Sequence, residues 1–437
     1  MTGAATPSGS DFESSEISPG ASLHIRQESR RKTSRLRVSW IHNMGPDAAQ
    51  KCLVPSCLLR GSRSFPSLRE ISRRSEELWG LGIGGSIDRA GQLLIVTINA
   101  EFAEDSRLPG GEAVLADAVE FIREVILQPH LVEGCFDEDT VSSEVSQHRR
   151  SIEGRFDDKR SWAMQRCIEE TCHDEPWRFH EYGTIESLDQ ATAESVTADW
   201  KKSIGSAPMH VHFSGEARSD SLTEILLPLF DGHDQQTATL ADRFPLKGAG
   251  EVRELEEHFH GQQANLVISF RTSTGHGDPL QESMMIASGV IGGFPHSRLF
   301  TQVREKQSLC YSVNSLFDGS SGLMLVSAGI DGDTATRTRE SILEQIDVVK
   351  RGEFSPEEFQ MTLDAWDSRL RMTQDSPASL AEFDLVSRLV GRDPTIDGMR
   401  ERVSSVTREG VIEAANRLET DLIYLLSPED DQREDVQ

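Results

Sequence analysis

The order of strand and helix patterns in the first half of the chain is repeated in the second half. The first copy has a strand pattern GQLLIVTINAEF from Gly91, a helix pattern from 112 to 127 and a segment opening another helix at Phe136. The second copy has the strand pattern SGLMLVSAGI from Ser321, the helix pattern TRESILEQIDVVKRG and a matching segment at Phe354. An internal repeat with a period near half the chain predicts two similar domains, because each copy has to bury its own apolar face.

Both copies alternate strands with amphipathic helices, and neither contains a Rossmann-type glycine turn. The helix of the first copy has an apolar stripe at helical spacing, formed by Val114, Leu115, Ala118, Val119, Ile122, Val125 and Ile126. Its counterpart repeats the stripe with Ile342, Leu343, Ile346 and Val349. This pattern predicts α+β domains, each a mostly antiparallel sheet with helices packed on one side.

Composition suggests where the domains begin and end. Residues 1–22 are mostly rich in Ser, Gly, Thr, Glu and Pro, and are interpreted as a disordered tail. An N-terminal domain is expected over 23–231 and a C-terminal domain over 252–430. The segment 232–251 between them is polar and interrupted by Gly and Pro, as is typical of an exposed linker.

Charge, hydropathy and cysteine usage restrict the partners and the compartment. The formal charge of −27 over 437 residues argues against nucleic acid and anionic membranes as main partners. No apolar stretch approaches the ~20 residues of a membrane span, and the N-terminus lacks a secretory signal. The six cysteines show no C-x-x-C pair, which favours free thiols in a reducing compartment. We therefore expect a cytoplasmic protein.

The run GGFPHSRLFTQVREKQSLCYSVN at 292–314 is the most distinctive motif of the chain. Its glycine pair, its helix pattern SRLF-x-x-V-RE-K and its tyrosine before a strand closely resemble a C-terminal-domain signature of the pitrilysin (insulinase) metallopeptidases. The resemblance spans roughly residues 23–427. It implies two pitrilysin-like domains forming half of a clamshell, with Arg304 and Tyr311 contacting the substrate carbonyl. It also implies substrate handling by the loop that contains Gly292 and Gly293.

The zinc motif of that family, H-x-x-E-H, occurs nowhere in the sequence. An alignment by eye with the family's EH-x-x-FKGT segment places Cys52, Pro55 and Ser56 where the first His, the Glu and the second His should stand. The nearest match to the third ligand is Glu138, and Glu144 is an alternative. Zinc needs three N, O or S ligands and a water, so this degenerate motif predicts no metal in this chain and zinc in a partner subunit.

Other possible centres have weaker support in the sequence. His258-x-His260 provides two imidazoles without a third ligand, which is more typical of surface residues. Cys167 and Cys172 lie five residues apart in a helix pattern and point to different faces. The chain contains no G-x-S-x-G elbow and no P-loop, so a second, unrelated catalytic centre is not predicted.

The resemblance therefore favours a non-catalytic subunit of a two-chain zinc peptidase. Such a chain would form half of a chamber for degrading or processing peptides and supply Arg304 and Tyr311 to a zinc-bearing sister subunit. The alternative is a catalytically inert peptide-binding or scaffold protein, including a homodimer, in which Arg304 merely pairs with Glu305 and Tyr311 packs in a sheet. A third interpretation, an active enzyme with another metal site, lacks a ligand triad in the sequence.

Overall fold

The structure is a computed structural model that describes residues 12–216, 219–234, 237–241 and 245–429. The chain divides into two compact units. Unit 1 contains residues up to 153 together with 179–243 and 373–389, and unit 2 contains 154–178, 244–372 and the residues from 390 onward. Each unit therefore takes one segment from the other half of the chain.

Among the described residues, each unit contains one β-sheet. The strands of sheet 1, in unit 1, are β1 (Glu13–Ser18), β2 (Ala21–Gln27), β3 (Thr33–Asn43), β4 (Gly82–Ala90), β5 (Leu93–Ala103) and β6 (Met209–Gly215). The strands of sheet 2, in unit 2, are β7 (Arg253–Phe259), β8 (Ala264–Arg271), β9 (Ser312–Asp318), β10 (Leu323–Ile330) and β11 (Glu419–Pro428).

The two sheets share one topology. Their strand orders are β1-β2-β6-β3-β5-β4 and β7-β11-β8-β10-β9. In both, the first strand of the repeat is parallel to the last, β2 to β6 and β7 to β11, and the remaining neighbours are antiparallel. From β2 onward sheet 1 repeats the order of sheet 2, so the predicted duplication and the α+β class are confirmed.

The helices follow the strands in the same order in both halves. The α-helices are α1 (Ala48–Leu58), α2 (Leu68–Glu77), α3 (Leu115–Leu127), α4 (Glu138–Gly154), α5 (Lys159–Thr171), α6 (Ile185–Leu188), α7 (Ala193–Ser206), α8 (Ser219–Leu226), α9 (Gln281–Ser288), α10 (Ala335–Lys350), α11 (Pro356–Asp375), α12 (Pro377–Leu389), α13 (Ile396–Ser404) and α14 (Arg408–Asn416). Two segments are π-helical, Gly289–Gly293 and Leu299–Lys306. None of the described helices is both long and apolar enough to cross a membrane.

Several helices begin at a polar side chain that accepts a hydrogen bond from the first turn. Asp158 accepts from the backbone N–H groups of Arg160 and Ser161 at the start of α5, and Thr407 caps α14 in the same way. Thr192 and Ser195 form a reciprocal capping box at the start of α7. These side chains replace the hydrogen bonds that the first helical N–H groups lack, and so fix where each helix begins.

The helix covering the second face of each sheet comes from the other half of the chain. α5 packs on β8 and β11, where Ala163 joins Val267 in an apolar cluster of unit 2. α12 packs on β3 and β6, where Leu385 joins Ile41 in a cluster of unit 1. α1 and α3 cover the other face of sheet 1. The sequence predicted helices on one side of each sheet. The exchanged helix covers the other side as well.

The observed boundaries differ from the predicted ones in two respects. β1 pairs with β2, and Phe12 is buried, so the tail prediction is wrong for residues 12–22. That pairing depends on tertiary contacts that a polar composition does not reveal. The continuous ranges 23–231 and 252–430 also miss the exchanged segments 154–178 and 373–389. Residues 1–11, and 235, 236 and 242–244 of the predicted linker, lie outside the described part.

Candidate functional site

The degenerate zinc motif lies on α1, which packs against sheet 1. Cys52 is buried and its thiol donates to the carbonyl oxygen of Glu181, 3.1 Å away. Burial raises the pKa of Cys52. The residue is therefore a neutral thiol, whereas a metal ligand has to be a thiolate.

Pro55 and Ser56 complete the contrast with a working zinc motif. Pro55 packs so closely on β4 that a Cβ added at Gly85 would lie 2.5 Å from its own Cβ. Proline offers no side-chain donor or acceptor, and the half-buried Ser56 offers one weak oxygen. Within the described ranges, Cys52 does not belong to a group of three His, Cys, Asp or Glu side chains able to hold a metal. The residues at this position do not fit a catalytic zinc ion.

The structure distinguishes the two candidates for the third ligand. Glu138 is exposed in the first turn of α4, whereas Glu144 is buried and forms an ion pair with Arg60, two residues after α1. Burial, with Glu144 nearby, raises the pKa of Cys57 to about 12. Of the two candidates, the buried carboxylate is thus already neutralised by a guanidinium of the same chain.

Arg304 and Tyr311 lie at the surface of unit 2, on either side of a short connection into β9. The side chain of Arg304 is 37% exposed, lies over the ring of Phe300 at 4.4 Å and is 3.5 Å from Glu305 Oε1. Burial raises the pKa of Cys310 to about 11, and Arg304 opposes that shift. The charge of Arg304 therefore acts on Cys310, the residue directly before Tyr311.

Tyr311 is held by its backbone and by its phenol. Its N–H donates to the carbonyl oxygen of Gly329 at 2.9 Å, beside β10. Its hydroxyl donates to the carboxylate of Asp331 at 2.8 Å, and this hydrogen bond raises the pKa of Tyr311. The residue is 59% exposed, so it does not pack inside the sheet. A neutral phenol at the surface remains a hydrogen-bond donor.

The two loop glycines differ in their surroundings. Gly292 is buried, and a Cβ added there would lie 2.8 Å from the backbone nitrogen of Ser315 in β9. At Gly293 the nearest atom to an added Cβ is the carbonyl oxygen of Ser288, at 3.5 Å. Gly292 therefore permits the close packing of the π-helical segment on β9, and Gly293 has room for a side chain.

The other residues considered from the sequence do not form centres. His258 and His260 are exposed and lie near Glu256 and Glu429 respectively. Cys167 and Cys172 are buried in unit 2 and form no disulfide. None of these four residues takes part in a group of three potential metal ligands within the described ranges.

A cluster that the sequence analysis missed lies on the face of sheet 1 that α12 covers. His24 of β2 is the register partner of His212 of β6, and His210 shares their face of the sheet. Asp384 of α12 accepts from His212 Nε2 at 2.9 Å and from Arg388 at 2.7 and 2.9 Å. We call His24, His210, His212 and Asp384 the histidine cluster. The signal in the sequence was the pair His210-x-His212.

Burial determines the charges in the histidine cluster. It lowers the pKa of His24 to about 2 and that of His210 to about 3, and it also lowers the pKa of His212. Burial opposes ionisation of Asp384, but hydrogen bonds from His212 and Arg388 outweigh it and lower the pKa to about 2. Neutral imidazoles thus surround one carboxylate whose charge Arg388 balances.

Comparisons with known proteins agree with the missing zinc motif. Residues 190–365 match the family model described as "Peptidase M16 inactive domain". The chain is 25% identical over 408 residues to the "Probable inactive metalloprotease YmfF" of Bacillus subtilis. The aligned region covers 93% of this chain and 96% of that protein. It is 27% identical over 173 residues to the "Uncharacterized zinc protease YmxG" of the same organism, 38% of this chain and 42% of that protein.

A solved structure extends the likeness to the whole fold. A conserved protein from Enterococcus faecalis superposes with a TM-score of 0.87 at 25% sequence identity. The match covers 96% of this chain and 99% of that one. Both pseudo-repeated units are therefore part of the shared architecture.

Proposed function

Because the chain belongs to the pitrilysin-type (M16) metallopeptidase superfamily as an inactive member without H-x-x-E-H, we propose that it is the non-catalytic subunit of a two-chain zinc peptidase. It forms half of a chamber that degrades or processes peptides, and a zinc-bearing sister subunit forms the other half. The observation that carries this proposal is a contrast within the chain. Cys52 and Pro55 are packed and Glu144 is paired with Arg60, whereas Arg304 and Tyr311 are exposed donors.

The chemistry of peptide hydrolysis gives these two donors a role. Attack on a peptide carbonyl places negative charge on its oxygen, and a preorganised donor aimed there is worth roughly 3 to 4 kcal/mol in measured cases. The exposed contact of Arg304 with Glu305 is of the kind worth only about 0 to 1 kcal/mol, so a substrate oxygen can compete for the guanidinium. Tyr311 has to exchange Asp331 for the substrate oxygen as its acceptor.

An edge strand supplies a place for an extended peptide. β4 is the last strand of sheet 1 and its residues are mostly half-exposed. An edge of this kind presents unpaired N–H and C=O groups, which bind an added strand. Gly82 and Gly84 leave the face of the sheet at this edge open for side chains of a bound strand, since an added Cβ there would have no neighbour closer than 3.9 Å. These features support a peptide as the bound molecule.

The loop before the Arg304 segment has a separate, smaller part in the proposal. We assign Gly293 to the substrate side, because its surroundings are open, and Gly292 to the packing against β9. Replacing Gly293 by Ala should then change peptide binding while the fold is retained. The same change at Gly292 should destabilise unit 2, because the added methyl group meets the backbone of Ser315.

The relatives support a zinc-bearing partner, and the cysteines support the compartment. Bacillus subtilis contains both a relative named as an inactive metalloprotease and one named as a zinc protease. A pair of this kind is what the two-chain proposal requires. Six cysteines that form no disulfide suit the reducing cytoplasm in which we place the protein.

The second candidate function is a catalytically inert scaffold or peptide-binding protein, assembled with itself. It is favoured by the internal contacts of the two donors, since Arg304 has Glu305 beside it and the Tyr311 hydroxyl is bonded to Asp331. In that case both side chains are already satisfied within unit 2. Substitution of either side chain would then leave the turnover of any complex unchanged.

Reconstitution separates the two functions. The chain and a zinc-bearing sister from the same source are assayed on fluorogenic peptides, alone and mixed. We expect the chain alone to be inert and the mixture to be active. Arg304→Ala should lower kcat by about 100-fold or more without weakening assembly measured by sedimentation. Arg351→Ala is the matched control, because Arg351 is also exposed in unit 2 and paired with a nearby glutamate, Glu353.

Two outcomes would overturn the proposal. If Arg304→Ala leaves turnover of the complex unchanged, the chain is a scaffold. If the purified chain cleaves peptides without a partner, it is an enzyme with a centre other than the degenerate motif on α1.

A further inference from the structure

Two neighbouring strands and one helix bring metal-ligating side chains together on one face of sheet 1. His210 and His212 alternate along β6 and so share a face, and His24 lies opposite His212 on β2. Asp384 reaches this face from α12. One ligand atom from each of His24, His212 and Asp384 lies within 4.8 Å of the others. α1 covers the opposite face, so this group is separate from the degenerate zinc motif.

We propose that His24, His212 and Asp384 bind a divalent transition metal, with zinc as the expected ion. Imidazole nitrogen and carboxylate oxygen are ligands that zinc accepts at about 2.0 to 2.2 Å. In a tetrahedral site with such bonds, the ligand atoms lie about 3.3 Å apart. The oxygen Asp384 Oδ2 is 2.9 Å from His212 Nε2 and 4.0 Å from His24 Nδ1. These distances bracket the required value. The His24 and His212 rings are stacked, with centroids 4.3 Å apart and 23° between their planes, so one ring has to turn about its Cβ–Cγ bond before both nitrogens face the same ion.

Neighbouring side chains hydrogen-bond to the three ligands and orient them, as the hydrogen-bond partners of metal ligands do in known metal sites. His24 Nε2 is 3.0 Å from His210 Nδ1, and donation from His24 to His210 leaves His24 Nδ1 unprotonated, with its lone pair accepting from the Ser14 hydroxyl at 2.7 Å. Arg388 holds the carboxylate of Asp384 through two hydrogen bonds. The charge of Arg388 opposes that of the metal, which predicts weaker binding than at a carboxylate without a cationic partner.

An unpartnered nitrogen gives independent support. His212 Nδ1 is buried and has no hydrogen-bond partner among the described residues. When Nε2 binds a metal, Nδ1 carries a proton that needs an acceptor. A cavity of about 20 Å³, lined by His212 with Arg37, Asn99 and Ser214 among others, is large enough for one water beside this imidazole.

The outer side of the site provides an entry path and a fourth ligand. Ser14, exposed on the edge strand β1, has its Oγ 2.7 Å from His24 Nδ1. An entering ion displaces this hydroxyl from the imidazole, and either the hydroxyl or a water then completes four-coordination. Phe12 covers His212 from the same side, with the ring centroids 5.1 Å apart. A bound ion would tie β2 and β6 to α12, and its role would be structural, independent of the proposed peptidase function.

The test measures metal binding by the full-length protein and does not depend on activity. The protein is stripped with a chelator, titrated with Zn²⁺ in a calorimeter and, separately, with Co²⁺ in a spectrophotometer. We expect one equivalent of zinc and a visible cobalt spectrum of a four-coordinate N/O site. His24→Gln and His212→Gln should each lower the affinity about tenfold or more. The controls His258→Gln, which changes an exposed histidine, and Cys52→Ser, which changes the degenerate motif, should bind as the wild type does.

Anomalous diffraction at the zinc edge, from wild-type crystals grown with zinc, keeps the inference testable if a variant fails to fold. A peak between His24, His212 and Asp384 supports the site. Absence of binding, a peak elsewhere, or loss of binding in Cys52→Ser with retention in His24→Gln would each overturn it.

Discussion

α12 on sheet 1 and α5 on sheet 2 occupy equivalent places in the duplicated halves, yet different polar groups join each helix to its sheet. On sheet 2, the buried Arg271 donates to Glu175 at 2.6 Å, to Asp421 at 2.7 Å and to the carbonyl oxygen of Thr171 at 2.9 Å. On sheet 1, the histidine cluster takes that place. The apolar packing of the repeat was kept while its buried polar contacts diverged, so the two units should respond differently to mutation and to acid.

The largest effect is expected at Arg271. Burial opposes its charge, but hydrogen bonds to Glu175 and Asp421 outweigh burial and raise the pKa of Arg271. Arg271→Met would leave two buried carboxylates without their cation and should cost about 3 to 5 kcal/mol of unfolding free energy. Hydrogen exchange by mass spectrometry should show faster exchange in α5 and β8 than in β2 and β6. Arg351→Met, an exposed control, should leave exchange unchanged; a similarly small effect of Arg271→Met would contradict the comparison.

Asp384→Asn should give the next largest effect, and in unit 1. The substitution removes the charge that balances Arg388 and changes the acceptor of His212, but Arg388 is partly exposed and can be hydrated. We expect a loss of about 2 kcal/mol, measured by urea unfolding in metal-free buffer. Exchange should increase in β2, β6 and α12 and stay unchanged in β8. Equal acceleration in both sheets would mean that the units do not depend on separate polar contacts.

Much of the fold and part of the candidate site could be predicted from the sequence, and the features that were missed were missed for physical reasons. Amphipathic periodicity revealed the duplicated α+β order, and the run at 292–314 located Arg304 and Tyr311. Periodicity shows which side of a helix is apolar but not which sheet it covers, so the exchange of α5 and α12 was missed. The histidine cluster was missed because His24 and Asp384 lie 186 and 172 residues from their partners His210 and His212.

Acid should weaken unit 1 through a histidine outside the histidine cluster. His42 accepts or donates a hydrogen bond with Ser203 at 3.1 Å, and burial lowers its pKa to about 3 from an ordinary value of about 6.5. Between these two pH values His42 is protonated in the unfolded chain but neutral in the folded one. The free energy of unfolding is therefore largest above about pH 6.5 and falls as the pH drops toward 3. The expected loss is up to about 1.4 kcal/mol per pH unit. Thermal unfolding of His42→Gln from pH 7 to pH 4 should show a shallower slope than the wild type; parallel slopes would refute this.

The smallest difference concerns the caps of the equivalent helices α7 and α14. Thr192 has a reciprocal partner in Ser195, whereas Thr407 only accepts from the backbone N–H of Gly410. Thr192→Ala should cost about 1 kcal/mol and Thr407→Ala about 0.5 kcal/mol, measured by urea unfolding. Thr192→Ser, which keeps the hydroxyl, is the control and should be nearly neutral. The reverse order of the two losses would show that the reciprocal bond adds no stability.

The exchanged helices also set the order in which the chain can finish folding during synthesis. All strands of sheet 1 have been made once residue 215 has left the ribosome, but α12 ends only at Leu389. Until then one face of sheet 1, including Ile41 and Ile95, has no covering helix and exposes apolar surface of the kind that leads to aggregation. Each half made as a separate fragment would carry a helix that belongs to the other, so the two fragments should be soluble only when they are produced together.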